Sequence, residues 1–251
     1  MGRKTFYCPE IGRNAGVSNA GPIFNKDNFG SWQEYLTNEN NWNEPDYDSS
    51  KGKEFLEQCK EHRKQFAKPK DTKHVITLVH PLYTWLEEYN TLSKPQLRDL
   101  QAYTEELTSL LEAPLDRSRV EIVALETTYH YAAMTSLLLE AGKIDDVIFT
   151  ENDMGLFLRD EGKKRFHKRE ALLGGGYLGR CLKSACWEIC QTGKIKTLIK
   201  DLTLLSPYDG ERLCWSTINH FFNKETQVGF QVTEEQITTS QKVIEQFRIG
   251  A

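Results

Sequence analysis

The chain has 251 residues, 39% of them hydrophobic and 11% aromatic, with 32 Lys and Arg against 36 Asp and Glu for a formal charge of −4. This composition supports a real core and excludes wholesale disorder, and the slight acidity leaves no electrostatic footprint for nucleic acid or an anionic membrane. No run approaches the ~20 apolar residues of a membrane-spanning helix. The N-terminus, MGRKTFYCPEIGRNAG, has no apolar core for a signal peptide, and MGRKTF places Thr5 one position early for myristoylation.

Residues 1–70 read as a polar N-terminal extension packed on a core domain of residues 71–251. NENNWNEPDYDSSKGK is loop-like, but Phe24, Phe29, Trp32, Tyr35, Trp42 and Tyr47 recur through the region and point to packing. Residues 52–67 read as a short charged helix that Lys68-Pro69-Lys70 breaks. HVITLVH (74–80) is a buried strand, and residues 95–112 have helical spacing with Pro95 in the first turn. RVEIVALE (119–126) is a second strand, YHYAAMTSLLLEAGK a helix closed by Gly142, and DDVIFTE (145–151) a third strand. Residues 152–175 read as a loop, and the basic run Lys163–Arg169 within it as solvated. A helix follows over 176–192, ended by Gly193, and KIKTLIKDL (194–202) is a fourth strand. Residues 209–223 and 233–247 read as helices, with Gln227–Val232 as an edge strand. This alternation predicts an α/β fold, a three-layer α/β/α sandwich with a mainly parallel sheet and right-handed connections.

Such sheets bind ligands at the carboxyl ends of their strands. The expected edge holds His80; Glu126 and His130; Glu151 and Asp153; then Gly174, Gly175, Gly176, Tyr177, Arg180 and Cys181; and Asp201. Glycines opening a helix offer bare backbone N–H groups at a positive dipole end, suited to an anion or a developing oxyanion. A thiol placed there, beside Arg180, is expected to have a lowered pKa and to act as a nucleophile. Plainer roles compete: Thr127 or Thr128 as a helix N-cap, Asp201 closing a turn, Cys186 and Cys190 as core thiols. Glu126 and His130, four apart, with His80, Asp153 and Asp201, make a looser alternative as metal ligands. The cysteines (Cys8, Cys59, Cys181, Cys186, Cys190 and Cys214) form no Cys-x-x-Cys pair. They read as reduced thiols of a cytoplasmic protein, or of one delivered to a host cytosol. No metal or cofactor is expected.

GGYLGRCLKSACWEICQTGKIKTLIKDL, from Gly175, resembles the nucleophile turn, helix and following strand of the isochorismatase-like cysteine hydrolases, and VITLVHPLYTW takes the place of their first-strand motif. The resemblance spans roughly residues 73–205. Gly175 and Cys181 keep the family's spacing. His80 stands where the family has an Asp, and FTENDMG after the third strand brings Glu151 and Asp153 where the family has a Lys. The resemblance implies a hydrolase acting on an amide or ester of a small, anionic molecule. Cys181 would attack, His80 or His130 would take the proton, Glu126, Glu151 or Asp153 would orient the histidine, the backbone of 176–181 would hold the oxyanion, and Arg180 could instead hold a substrate carboxylate or phosphate. The alternative is an inactive protein on the same scaffold that binds a small anionic ligand or a protein partner; neither nucleic acid nor membrane is expected as a partner.

Overall fold

A computed structural model describes residues 47–88, 91–158, 161–208, 212–213 and 234–250, together with the backbone of two short strands, β1 (Lys4–Cys8) and β2 (Arg13–Val17), that pair antiparallel. The helix expected over 209–223 and the edge strand expected over 227–232 lie outside the described residues, apart from 212–213. Helix α1 (Ser50–Phe66) opens where the Ser49 side chain accepts from the Gly52 N–H at 2.9 Å, an N-cap. It buries Phe55, Leu56 and Cys59.

The central sheet has six strands: β3 (His74–Val79), β4 (Val120–Glu126), β5 (Asp146–Phe149), β6 (Glu170–Gly175), β7 (Lys194–Ile199) and β8 (Ile237–Thr238). All neighbours are parallel, in the order β5-β4-β3-β6-β7-β8. Helix α2 (Lys94–Glu112) links β3 to β4; its start is braced by Gln96 Oε1, which accepts from the Ser93 N–H at 2.9 Å and the Ser93 hydroxyl at 2.8 Å, a reciprocal cap. Residues 128–140, here α3, comprise Thr128–His130, a π-helical turn Tyr131–Thr135 and Ser136–Glu140. Helices α4 (Glu161–Phe166) and α5 (Cys181–Cys190) pack on each other, as do α2 and α6 (Ser240–Phe247). Helices cover both sides of the sheet, and β4 is buried along all seven residues, as a strand covered on both faces must be. The architecture is the α/β sandwich.

Two corrections follow. Residues 152–175 are no simple loop: they contain α4 and β6, and β6 is a central strand paired to β3 and β7. EALLGG lacks β-branched and aromatic residues, so it gives no strand signal by composition. The basic run is not a solvated loop either: Arg169 is buried and bonds the Glu121 carboxylate at 2.7 Å. A third correction falls on residues 234–247, which form a 3₁₀ turn, the edge strand β8 and α6 where one helix was expected over 233–247.

The chain runs outward through β3, β4 and β5, then returns to lay β6 on the other side of β3. The strand order therefore reverses between β3 and β6, the place beyond whose carboxyl ends such sheets bind ligands. There the last paired residues are Val79 and Gly175.

Candidate active site

His80 and Gly176 continue β3 and β6 past that last pair. His80 has φ +43°, a left-handed backbone that is uncommon for histidine and costs of order 1 kcal/mol or more. Its N–H is held by Leu125 O at 2.9 Å. The side chain is buried, with Nδ1 2.8 Å from Glu126 Oε1, while Nε2 has no hydrogen-bond partner. That pairing sets Nδ1 against the carboxylate and leaves Nε2 as the ring nitrogen without a partner.

Glu126, at the end of β4, is fully buried and gathers a cluster. Thr135, in the π-helical turn, donates to Oε2 at 2.9 Å, and His130 Nδ1 lies 3.4 Å from Oε1. Thr127 caps α3, accepting from the His130 N–H at 3.2 Å. His130 Nε2 reaches Glu87 Oε1 at 2.8 Å, from a second π-helical turn, Thr84–Glu88. Burial alone would raise the Glu126 pKa, but hydrogen bonds from His130 and His80 outweigh it and bring it down to about 2. Burial likewise works against a charged His130, but hydrogen bonds to Glu126 and Glu87 raise it to about 10. The cluster is thus a Glu126 carboxylate–His130 imidazolium pair with the His80 ring attached. His80, Glu126 and His130 also offer ligand atoms within 4.8 Å of one another.

Cys181 is the first residue of α5. Its Sγ accepts from the Tyr177 N–H at 3.1 Å, and a Cβ added at Gly176 would sit 2.6 Å from that sulfur. Gly175, with φ +79°, leaves room for the backbone of β3: a Cβ there would meet Val79 O at 2.5 Å. A Cβ at Gly174 would meet Leu202 Cβ at 2.9 Å. The bareness of the three glycines thus admits the neighbouring strand, Leu202 and the thiol. Nor does the backbone beyond them present a row of free donors: the N–H groups of Leu178, Arg180 and Leu182 bond Leu204 O, Tyr177 O and Tyr177 O.

The expected fall in the Cys181 pKa is overturned. Burial pushes the thiol up to about 12, although the backbone N–H groups of Tyr177 and Leu182 oppose it. Arg180 is exposed, its guanidinium 5.9 Å from the Tyr208 ring centre. Tyr177 is buried and its hydroxyl accepts from Thr84 at 2.9 Å. Tyr83 stacks edge-on against both His130 and Tyr177, and its pKa is raised by burial and then by the carboxylates of Asp153, Glu87 and Glu88. Asp153 lies near enough to Tyr83 to raise it, and Glu151 is exposed in the turn before it. Asp201 does not join the cluster. Its carboxylate accepts from the Ser240 N–H at 2.8 Å and fixes the start of α6. Of the two thiols expected in the core, Cys186 is buried and Cys190 is exposed.

Glu87, Thr84 and Thr135 are site residues that pattern reading misses. Both π-helical turns are set by the tertiary fit, and such turns recur at functional sites.

No family model matches the chain, and no curated protein matches it. Among solved structures, an isochorismatase-like hydrolase from Alkaliphilus metalliredigens is similar at 12% identity and a TM-score of 0.44, over 70% of this chain and 99% of that one. Among the described residues, no helix is long and apolar enough to cross a membrane.

Proposed function

We propose that the protein is a hydrolase that cleaves a small amide or ester with Cys181 as nucleophile, His80 as base and Glu126 as the group that orients the base. One observation carries this reading. Within the buried cluster, His80 Nδ1 is fixed on Glu126 while Nε2 is left unpartnered, one residue beyond the strand end that packs against the Gly175–Gly176 turn. That is the disposition of a general base held by a carboxylate.

The chemistry follows. The buried thiol starts out neutral. With a carbonyl seated beside it, Cys181 Sγ attacks the carbonyl carbon as its proton moves to His80 Nε2. Glu126 stabilises the resulting imidazolium through Nδ1–H. Collapse expels the amine or alcohol, which takes the proton from His80, and leaves a thioester on Cys181. Water, deprotonated by His80, then attacks the thioester, and the thiol leaves with that proton as the acid is released.

The test is turnover of a panel of neutral amides and esters by the wild type, Cys181→Ser and His80→Asn. The reading requires hydrolysis by the wild type that falls ~10²-fold or more in each variant, with thermal unfolding of Cys181→Ser unchanged. Turnover that survives Cys181→Ser rejects it. The ligand-atom spacing of His80, Glu126 and His130 favours a second reading, a divalent cation on two imidazoles and a carboxylate. Elemental analysis of the purified protein separates the two: a stoichiometric transition metal would take His80 away from proton transfer.

A further inference from the structure

A second recess lies at the opposite edge of the sheet. A groove of about 500 Å³ is lined by Pro69, Lys70 and Asp71, which precede β3, and by Lys164, Arg165, His167 and Arg169, between α4 and β6. That volume falls within the range of small-molecule sites. Its lining sets two lysines and two arginines against the single carboxylate of Asp71, on a chain whose overall charge is −4.

The floor is built and rigid. Fully buried Glu121, near the amino end of β4, accepts from the Lys70 N–H at 2.9 Å, from Arg169 at 2.7 Å and from Arg165. Arg169 is further pinned by Thr72, through Nε to the carbonyl at 2.6 Å and Nη2 to the hydroxyl at 2.8 Å. Arg63 takes Asp146 at 2.7 Å, which Arg165 also approaches at 3.6 Å. Three guanidiniums thus share two carboxylates. Arg165 Nε is buried with no hydrogen-bond partner, and no described ion pair engages Lys70 or Lys164. Burial, with the guanidiniums of Arg169 and Arg63, lowers the Arg165 pKa to about 10, against the opposing carboxylate of Asp71 in the groove lining.

We propose that this groove is a binding site for a small phosphate-bearing ligand, with Lys70 and Lys164 closing over a phosphate seated on the Arg165–Arg169 floor. A dianion supplies the missing charge and accepts from planar guanidinium donors that are already oriented. The site goes beyond the hydrolase reading. β3 separates it from the candidate active site by a strand of six residues, about 20 Å at ~3.3 Å per residue, so one small substrate does not reach both.

The test is calorimetric titration of the whole chain with inorganic pyrophosphate and inorganic phosphate at low ionic strength, for the wild type, Lys70→Met/Lys164→Met and Cys181→Ser. Neither lysine holds the fold, so thermal unfolding of the double variant should match the wild type. The expected result is one pyrophosphate per chain, weakened ~10-fold or more in the double variant and by added salt, and unchanged in Cys181→Ser. No binding by the wild type, or equal affinity in the double variant, overturns the proposal. So does an oligonucleotide that binds more tightly than pyrophosphate, which would make the groove a contact for a polymer.

Discussion

Two glutamates on β4, Glu121 and Glu126, are both fully buried, one near each end of the strand, and differ in their partners. Glu121 is held by Arg165 and Arg169, guanidiniums that stay charged across the neutral range. Glu126 is held by His80 and His130, which can lose a proton. A buried carboxylate between arginines is a fixed structural charge, here with a phosphate groove above it. Between histidines it is a proton network, and His80 Nε2 remains without a partner. The same residue type on one strand is a fixed charge at the amino edge and a chemical group at the carboxyl edge.

The sharpest way to break this comparison is to delete each carboxylate. Glu121→Ala leaves buried guanidiniums that cannot neutralise themselves, and should cost about 3–5 kcal/mol of unfolding free energy. Glu126→Ala leaves imidazoles that can deprotonate, and should cost less, about 1–3 kcal/mol. Urea unfolding of the two variants measures the difference; equal costs would erase the distinction.

Next in size is Gly176→Ala. The new methyl carbon would sit 2.6 Å from Cys181 Sγ at φ +60°, so a loss of about 1–3 kcal/mol is expected. In a Cys181→Ala background the clash with sulfur should vanish, leaving the close approach to Val79 O at 3.0 Å and the left-handed backbone cost of about 1 kcal/mol. A double-mutant cycle reads this coupling. Purely additive losses would mean that the glycine serves the backbone alone.

The smallest effect is the pH profile. The folded Glu126 pKa, about 2, lies below its ordinary 4.5, so its contribution is present above 4.5 and lost as pH falls toward 2. The folded His130 pKa, about 10, lies above its ordinary 6.5, so its contribution is full below 6.5 and lost as pH rises through 10. The cluster therefore stabilises most between about 4.5 and 6.5. Thermal unfolding of the wild type against His130→Asn should differ most there and converge above pH 10. A gap that widens above pH 10 would reverse the assigned sign.

Much of the fold was legible because its signals are local. HVITLV and VEIVALE are β-branched runs of buried-strand length, and Ser93, Pro95 and Gly142 punctuate helices as capping rules require. β6 was hidden because a strand of Ala, Leu and Gly has no propensity signature; its identity comes from Val79 packing against Gly175. His80, Glu126 and His130 were singled out by their places after strands, and the structure brings these three together; Cys181 was singled out at the glycine turn, where its sulfur meets the Tyr177 N–H. What could not be read was who partners whom. The glycines were taken for an open anion cradle, yet strand, Leu202 and sulfur fill the space beside them. The lowered thiol pKa was argued from a dipole and Arg180, yet burial outweighs both. Glu87 and Thr135 enter through π-helical turns that no periodicity marks.

The most direct test of the hydrolytic centre is to map by peptide mass spectrometry where an activated neutral ester acylates the native chain, in the wild type and in His80→Asn. Exposed Cys190 serves as the internal reference for a thiol without a base. If Cys181 is a nucleophile served by His80, it is acylated faster than Cys190 in the wild type despite its raised pKa, and that advantage disappears in His80→Asn. Acylation confined to Cys190, or of Cys181 at an equal rate in both proteins, would contradict the assignment.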